Sequence, residues 1–86
     1  MSYSIYYTKS AMKDAKILKN AHLNEKTKAL IEIVRTNPFQ NPPPYEKLVG
    51  VLNTYSRRIN IQHRFVYEVN EEEKIVKILS MWLHYE

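Results

Sequence analysis

The stretch that decides the fold is residues 63–85, which read HRFVYEVNEEEKIVKILSMWLHY. On either side of the acidic run 71–73, apolar and polar residues alternate with a period of two, which is typical of β-strands. With this alternation, one face of the first strand carries Phe65, Tyr67 and Val69. One face of the second strand carries Val76, Ile78, Ser80, Trp82 and His84. Residues 63–85 are therefore predicted to form two antiparallel strands joined at the acidic run.

The first half of the chain predicts a helical layer. Residues 4–8 are rich in β-formers and indicate an edge or central strand. Ser10 is a candidate cap for a helix ending at Asn20, and Asn24 for a second helix ending near Thr36, before Pro38. A strand, a two-helix hairpin and then an antiparallel sheet make an α+β fold, predicted here as one domain over residues 1–86. Both helices should cover one sheet face and leave the other for function.

Composition narrows the partners and the compartment. The chain has 86 residues, a formal net charge of +4, a pI near 9.4 and no cysteine. A basic surface favours an anionic partner, and the absence of cysteine fits a reducing cytoplasm. No apolar run is long enough to span a bilayer, and the first residues do not form a signal peptide. We therefore expect a cytoplasmic protein with no membrane partner.

A proline-rich segment, residues 37–44, lies between the helices and the predicted sheet. Its prolines lack backbone donors, so it cannot continue a helix or form a central strand. A proline-rich ligand for a recognition domain is the functional alternative, but the run is short. The segment is predicted to be a stiff connection that leads into the sheet.

Several polar residues of the second half have the chemistry that phosphodiester cleavage requires. This reaction needs a base for the ribose 2′-hydroxyl, cations for the phosphorane and an acid for the departing 5′-oxygen. Glu46 is the best base candidate, and His84 is the acid candidate because its ordinary pKa lies near neutrality. Arg58 and Arg64 flank a short turn, so their guanidinium groups can converge on one phosphate. Tyr85 could stack on a base or bind a phosphate.

Each candidate also has an ordinary structural interpretation. Glu46 could be a surface carboxylate paired with Arg57 or Arg58, and Arg58 and Arg64 could be exposed edge charges. His84 lies near the chain end, where side chains are often mobile. His63 should point away from Arg64 and is interpreted as structural. The scattered histidines have no metal-ligand spacing.

The motifs of the second half carry a family resemblance. They are Tyr45-Glu46-Lys47-Leu48, Tyr55-Ser56-Arg57-Arg58-Ile59-Asn60, His63-Arg64-Phe65-Val66-Tyr67-Glu68-Val69 and the closing Ser80-Met81-Trp82-Leu83-His84-Tyr85. In this order they resemble the Txe/YoeB family of the RelE toxin superfamily. The resemblance implies a RelE-like fold and a ribosome-dependent messenger-RNA endonuclease, the toxin of a bacterial toxin-antitoxin pair.

The resemblance also implies roles and partners. Glu46 would be the base, His84 the acid, Arg58 (not Arg57) and Arg64 the phosphate clamps, and Tyr85 would position the substrate. No metal or other cofactor is implied. The implied partners are a YefM/Axe-like antitoxin, the ribosome and its messenger RNA, and a toxin homodimer is compatible with the family.

Two departures from the family pattern affect one loop. Val49 stands where some members carry a lysine, and Lys47 should point to the other face from Glu46. The segment from Gly50 to Tyr55 lacks the glycine often found before the aromatic residue. Two rival functions remain at this point: a non-catalytic module that binds RNA or the ribosome, and a protein-interaction domain for an acidic peptide.

Overall fold

The computed structural model describes residues 2–20, 22–60 and 63–84, with the side chains of residues 82–84 outside the description. Its elements are, in chain order, β1 (Ser4–Tyr7), α1 (Lys9–Asn20), α2 (Asn24–Thr36), β2 (Tyr45–Lys47), β3 (Thr54–Arg58), β4 (His63–Asn70) and β5 (Ile75–His84). The strands form a five-stranded sheet in the order β1-β5-β4-β3-β2. β1 pairs in parallel with β5, and the other pairs are antiparallel. The predicted α+β architecture is confirmed, and β1 is an edge strand.

Both helices end where the sequence predicts, at Asn20 and Thr36, but their N-terminal caps differ from the prediction. The Thr8 hydroxyl oxygen accepts the Ala11 N–H at 3.1 Å, so Thr8 caps α1, and Ser10 lies inside the helix. The same hydroxyl donates to the Leu79 carbonyl at 2.9 Å, which fixes the helix start against β5. Asn24 is the first residue of α2, after a Leu23 cap position that makes no side-chain hydrogen bond. Both cap assignments, Ser10 and Asn24, were therefore wrong.

The core lies between the two helices and one face of the sheet. Cross-strand pairs such as Tyr67 with Ile78 and Val69 with Val76 place their side chains on this face. The buried residues of the core are Ala11, Leu18, Leu30, Ile31, Val34, Ile59, Phe65, Tyr67, Val69, Val76, Ile78 and Met81. Truncating one of the large members, such as Leu18 to alanine, would cost about 2–5 kcal/mol.

The alternation predicted for the last strand is interrupted. The β4–β5 register shifts between Arg64 and Val66 and again between Val66 and Tyr67. Met81, only 1% exposed, takes the core position, whereas Ser80 is half-buried. The predicted face is confirmed for Val76 and Ile78, but regular alternation ends there, because the irregular register brings both Ser80 and its neighbour Met81 toward the helical layer. The side chains of Trp82 and His84, assigned to the same face, lie outside the described residues.

A carboxylate from the helical layer stabilises this irregularity. Asp14 Oδ2 accepts the Met81 N–H at 3.1 Å and the Ser80 hydroxyl at 3.3 Å. A backbone donor that is displaced from the strand ladder needs a partner when it is partly buried, and Asp14 supplies it from α1.

The acidic run forms the predicted turn between β4 and β5. Residues 71–74 connect the two strands, and Asn70 Oδ1 accepts the Glu73 N–H at 3.1 Å. Within the described parts of the chain, neither helix is long and apolar enough to cross a membrane.

Candidate active site

The proline connector, residues 37–44, is held by one buried arginine. Arg57 Nη1 donates to the Pro43 carbonyl at 2.7 Å, and Nη2 donates to the carbonyls of Pro38 at 3.0 Å and Gln40 at 2.9 Å. Its Nε donates to the Tyr67 hydroxyl at 3.1 Å, which in turn donates to Pro38 at 2.8 Å. A proline-rich segment offers carbonyl acceptors but few N–H donors, so the guanidinium matches what the connector lacks.

Aromatic rings close the other side of the connector. Phe39, Tyr45 and Tyr55 contact one another with ring centroids 5.2–6.1 Å apart, and Arg57 Cζ lies 5.1 Å from the centre of the Tyr45 ring. Contacts of this kind contribute about 0.5–1.5 kcal/mol each beyond burial. Burial raises the pKa of the Tyr67 hydroxyl, and the positive charge of Arg57 opposes that rise.

On the uncovered sheet face, a groove of about 210 Å³ is lined by Pro44, Tyr45, Glu46, Ser56, Arg58 and Arg64. We call it the Glu46 groove. Strand register explains its composition, because Glu46 pairs with Ser56 and Arg58 pairs with Arg64. The predicted base and both predicted clamps thus lie in one place, on the face that the helices leave open.

Glu46 and Arg64 form an ion pair across the groove. Glu46 Oε1 lies 3.5 Å from Arg64 Nη1, and the side chains are 67% and 21% exposed. The structural alternative considered for Glu46 was an ion pair with Arg57 or Arg58. Among the described residues, the ion pair of Glu46 is instead with Arg64. An exposed pair of this kind is worth only about 0–1 kcal/mol, so a substrate phosphate could redirect Arg64 at small cost.

The two neighbouring arginines of β3 point in opposite directions, as strand alternation predicts. Arg57 is fully buried on the helix side, where it binds the connector. Arg58 is exposed and lines the Glu46 groove. Of the two, only Arg58 is placed to meet a phosphate.

The predicted acid and the predicted substrate-positioning residue are at the chain end. The backbone of β5 continues to His84, whose Cα pairs with that of His63, the residue before Arg64. The His84 side chain and the whole of Tyr85 lie outside the described residues, and their roles stay predictions.

Ser56 was not singled out from the sequence. It lines the Glu46 groove, and its Oγ is buried without a hydrogen-bond partner among the described residues. A buried hydroxyl without a partner is costly unless a ligand or water supplies one. Strand alternation could have indicated that Ser56 lines the groove, because Ser56 precedes Arg58 by two residues on β3 and therefore shares its face.

The loop after β2 contributes little to the groove. Lys47 pairs with Tyr55 on the helix-side face, as predicted, and does not line the Glu46 groove. Val49 is 99% exposed. Gly50 and Asn53 adopt left-handed φ values of 81° and 55°. Asparagine tolerates this conformation better than most residues, which explains how the chain makes the turn without a second glycine.

A larger apolar groove of about 450 Å³ lies beside α1 and α2. Its lining includes Met12, Leu18, Ile31 and Met81 but no acid or histidine. Its titratable lining residues are Tyr7, Lys19 and Lys28, so it lacks a carboxylate beside guanidinium groups. The Glu46 groove differs from it because a carboxylate there lies beside two guanidinium groups. His63, interpreted as structural, is buried.

Comparison with solved structures defines the class. An Agrobacterium tumefaciens YoeB/ParE toxin matches with a TM-score of 0.85 and 29% identity, covering 95% of this chain and 99% of that one. Staphylococcus aureus YoeB matches as a dimer (TM-score 0.83, 29% identity) and in complex with YefM (0.79, 31%), each covering 99% of this chain and 100% of that one. The RelE of an archaeal RelE–RelB complex from Pyrococcus horikoshii shares the fold (0.78, 24%), covering 96% of each chain. The fold is therefore that of RelE-like toxins.

The family follows from the sequence. Residues 7–85 match the family model for the YoeB-like toxin of bacterial type II toxin-antitoxin systems, and the chain belongs to this family. No curated protein matches it closely.

Proposed function

We propose that this toxin is a ribosome-dependent endoribonuclease that cleaves messenger RNA in the decoding site and so inhibits translation. The observation that carries the proposal is the Glu46 groove, which brings a carboxylate and two guanidinium groups together on the open face of the sheet. A base beside two permanent cations is the arrangement that 2′-hydroxyl attack on a phosphodiester requires.

The proposed reaction is an internal transesterification. The Glu46 carboxylate takes the proton of the ribose 2′-hydroxyl, and the 2′-oxygen attacks the adjacent phosphorus. The bond from phosphorus to the 5′-oxygen then breaks, and the departing oxygen takes a proton from His84. The products are a 2′,3′-cyclic phosphate and a 5′-hydroxyl end, so neither water nor a redox partner is consumed.

Arg58 and Arg64 would hold the reacting phosphate. Their Cα atoms are directly paired across β3 and β4, so both side chains leave the sheet on the same face. As the phosphorane forms, negative charge grows on its oxygens, and planar guanidinium donors bind that charge in a fixed geometry. Substrate binding would draw Arg64 from Glu46 toward the phosphate and leave the carboxylate available as a base. Tyr85 would position the neighbouring nucleotide.

The size of the groove supports dependence on the ribosome. About 210 Å³ is smaller than the roughly 300–1,000 Å³ of a typical ligand pocket, and the Glu46 side chain is largely exposed. Such a site cannot enclose and bend RNA on its own. Messenger RNA held in the decoding site would arrive oriented for in-line attack, which supplies much of the rate enhancement.

We also propose a cognate antitoxin of the YefM/Axe type, because the S. aureus relative was solved in complex with YefM. Another structure of that relative is a dimer, which supports a homodimer of the free toxin. A toxin that acts on ribosomes would work in the bacterial cytoplasm. Co-expression with the acidic product of a neighbouring gene should restore growth, and sedimentation of the purified toxin should give the mass of a dimer. Continued growth arrest or a monomer mass would contradict the respective proposal.

The decisive experiment compares messenger RNA alone with messenger RNA on assembled ribosomes, with EDTA added below the magnesium concentration that keeps the ribosomes assembled. We expect rapid cleavage only with ribosomes, with cyclic phosphate ends, and a rate that is low but still measurable in Glu46→Gln. Equal rates on naked RNA would contradict ribosome dependence, and loss of activity in EDTA with intact ribosomes would contradict the metal-free mechanism. Ribosome or RNA binding without cleavage would favour the non-catalytic module, and binding only to an acidic peptide the interaction domain.

A further inference from the structure

The position of Glu46 depends on more than its own strand. β2 has only three residues, lies at the sheet edge and pairs with β3 alone. A strand this short makes few ladder hydrogen bonds and has no second neighbour to fix it. The segment that leads into it, the proline connector, must therefore supply much of the constraint on where the carboxylate lies.

Arg57 binds that connector along its length. Its hydrogen bonds reach Pro38 near the start, Gln40 in the middle and Pro43 near the end, three residues before Glu46. Arg57 is also the cross-strand partner of Tyr45 and lies against its ring. One rigid guanidinium, carried by β3, thus binds both the connector and the first residue of β2.

The chemistry of Arg57 differs from that of a residue kept only for packing. Its hydrogen-bond partners among the described residues are backbone carbonyls and the Tyr67 hydroxyl, all uncharged. Burying a cation without a carboxylate is costly, so its donors must be well satisfied. A lysine could not replace it, because an ammonium presents its donors from one point, whereas the connector carbonyls are spread around a planar fork.

We propose that Arg57 is a positioning residue for Glu46: from the buried side of the sheet it holds the proline connector and thereby sets the carboxylate against Arg58 and Arg64. This inference rests on the proposed nuclease function for its kinetic consequence. Its structural consequence, a connector and β2 fixed by Arg57, does not depend on catalysis. Tyr67 has a supporting role, because its hydroxyl joins Arg57 Nε to the Pro38 carbonyl.

The kinetic test uses Arg57→Met, which removes every donor but keeps much of the length, and Arg57→Lys, which keeps the charge. The matched control is Val69→Ala, a cavity on the same sheet face that lies outside the connector network. We expect Arg57→Met to lower single-turnover cleavage on programmed ribosomes about 100-fold, because small misplacements of a catalytic group have effects of this size. Arg57→Lys should recover only part of the rate, and the control should cleave at the wild-type rate at a temperature where it is folded.

A double-mutant cycle separates positioning from general damage. In the Glu46→Gln background, Arg57→Met should lower the residual rate little further, because the group it positions is already lost. Equal losses with and without Glu46, or an equal loss in Val69→Ala, would overturn the proposal. If Arg57→Met does not fold, Tyr67→Phe replaces it in the cycle, with an expected loss of about 10-fold.

Hydrogen exchange provides a readout besides activity. The Leu48 N–H donates to the Thr54 carbonyl at 2.9 Å, and its exchange reports whether the end of β2 stays on β3. Arg57→Met or Tyr67→Phe should accelerate exchange there about 10-fold or more, with no comparable change between β4 and β5. If wild-type protein fails to cleave, the proposed function falls while this measurement still decides the structural claim. Unchanged exchange at Leu48 would overturn it.

Discussion

Replacing Arg64 by alanine should separate catalysis from stability. The stability term is small, because the Glu46–Arg64 pair is 3.5 Å long and the carboxylate is 67% exposed. Exposed ion pairs contribute about 0–1 kcal/mol, which for a domain of this size shifts the Tm by no more than about 8 °C. The expected catalytic effect is large, because Arg64 is the proposed donor to the developing oxyanion and losing one such donor costs about 100- to 1,000-fold.

The assay measures single-turnover cleavage and ribosome affinity on the same preparation. We expect cleavage to fall by about 100-fold or more and affinity by less than about 10-fold, since a contact that strengthens in the transition state lowers the rate more than binding. Arg35→Ala is the matched control. Its guanidinium lies 3.6 Å from Glu32 in an exposed pair on α2, so it removes the same charge from an ion pair of similar length.

The comparison has three informative outcomes. A large loss in Arg64→Ala alone would support the phosphate clamp. Equal losses of rate and affinity would make Arg64 a docking residue. An equal loss of rate in Arg35→Ala would refute the reasoning from the groove, because total charge rather than position would then control the reaction.

Three further predictions each concern one residue. His84→Gln should abolish cleavage while leaving the Tm and antitoxin binding almost unchanged. If this variant cleaved at the wild-type rate, His84 would not be the acid. Asp14→Ala should lower the free energy of unfolding by about 1.5–3 kcal/mol in urea, because the Met81 N–H loses a charged acceptor; a change below about 0.5 kcal/mol would contradict this. Burial raises the pKa of Tyr67 above its ordinary 10.0 in the folded protein. The neutral hydroxyl therefore contributes fully to the free energy of unfolding below pH 10, and this contribution is lost as the pH rises through the pKa of the folded state. Wild-type protein should therefore lose stability above pH 10 more steeply than Tyr67→Phe, and parallel curves would exclude this linkage.

The fold was predictable because its signals are local and redundant. Alternation in β4, the acidic turn and the proline stop after α2 each depend on a few adjacent residues, and the structure confirms all three. The caps were predicted less well, since Thr8, Ser10 and Asn24 are all chemically able to cap. Thr8 is the cap because its hydroxyl also donates to the Leu79 carbonyl, and this contact joins residues far apart in the sequence.

The irregular register of β5 could not be predicted for a similar reason. Its position depends on Asp14, which lies on α1, more than sixty residues away in sequence. A strand pattern read alone continues its alternation, whereas the folded chain can change faces wherever a distant group satisfies the displaced donor. The predicted face is confirmed for Val76 and Ile78, and Ser80 also reaches α1, but the pattern did not predict that Met81, the next residue, is buried in the core.

The candidate site shows the same division between local and distant information. Strand alternation alone established that Arg57 and Arg58 face opposite ways, but it could not say which of them faces the open side. That choice depends on the connector, because the carbonyls of Pro38, Gln40 and Pro43 require buried donors that only an arginine on the helix side supplies. Once Arg57 is committed to the connector, Arg58 must lie in the groove with Arg64. The proline run and the paired arginines thus act as one constraint: the connector, which lacks N–H donors, binds Arg57 and so leaves Arg58 in the Glu46 groove.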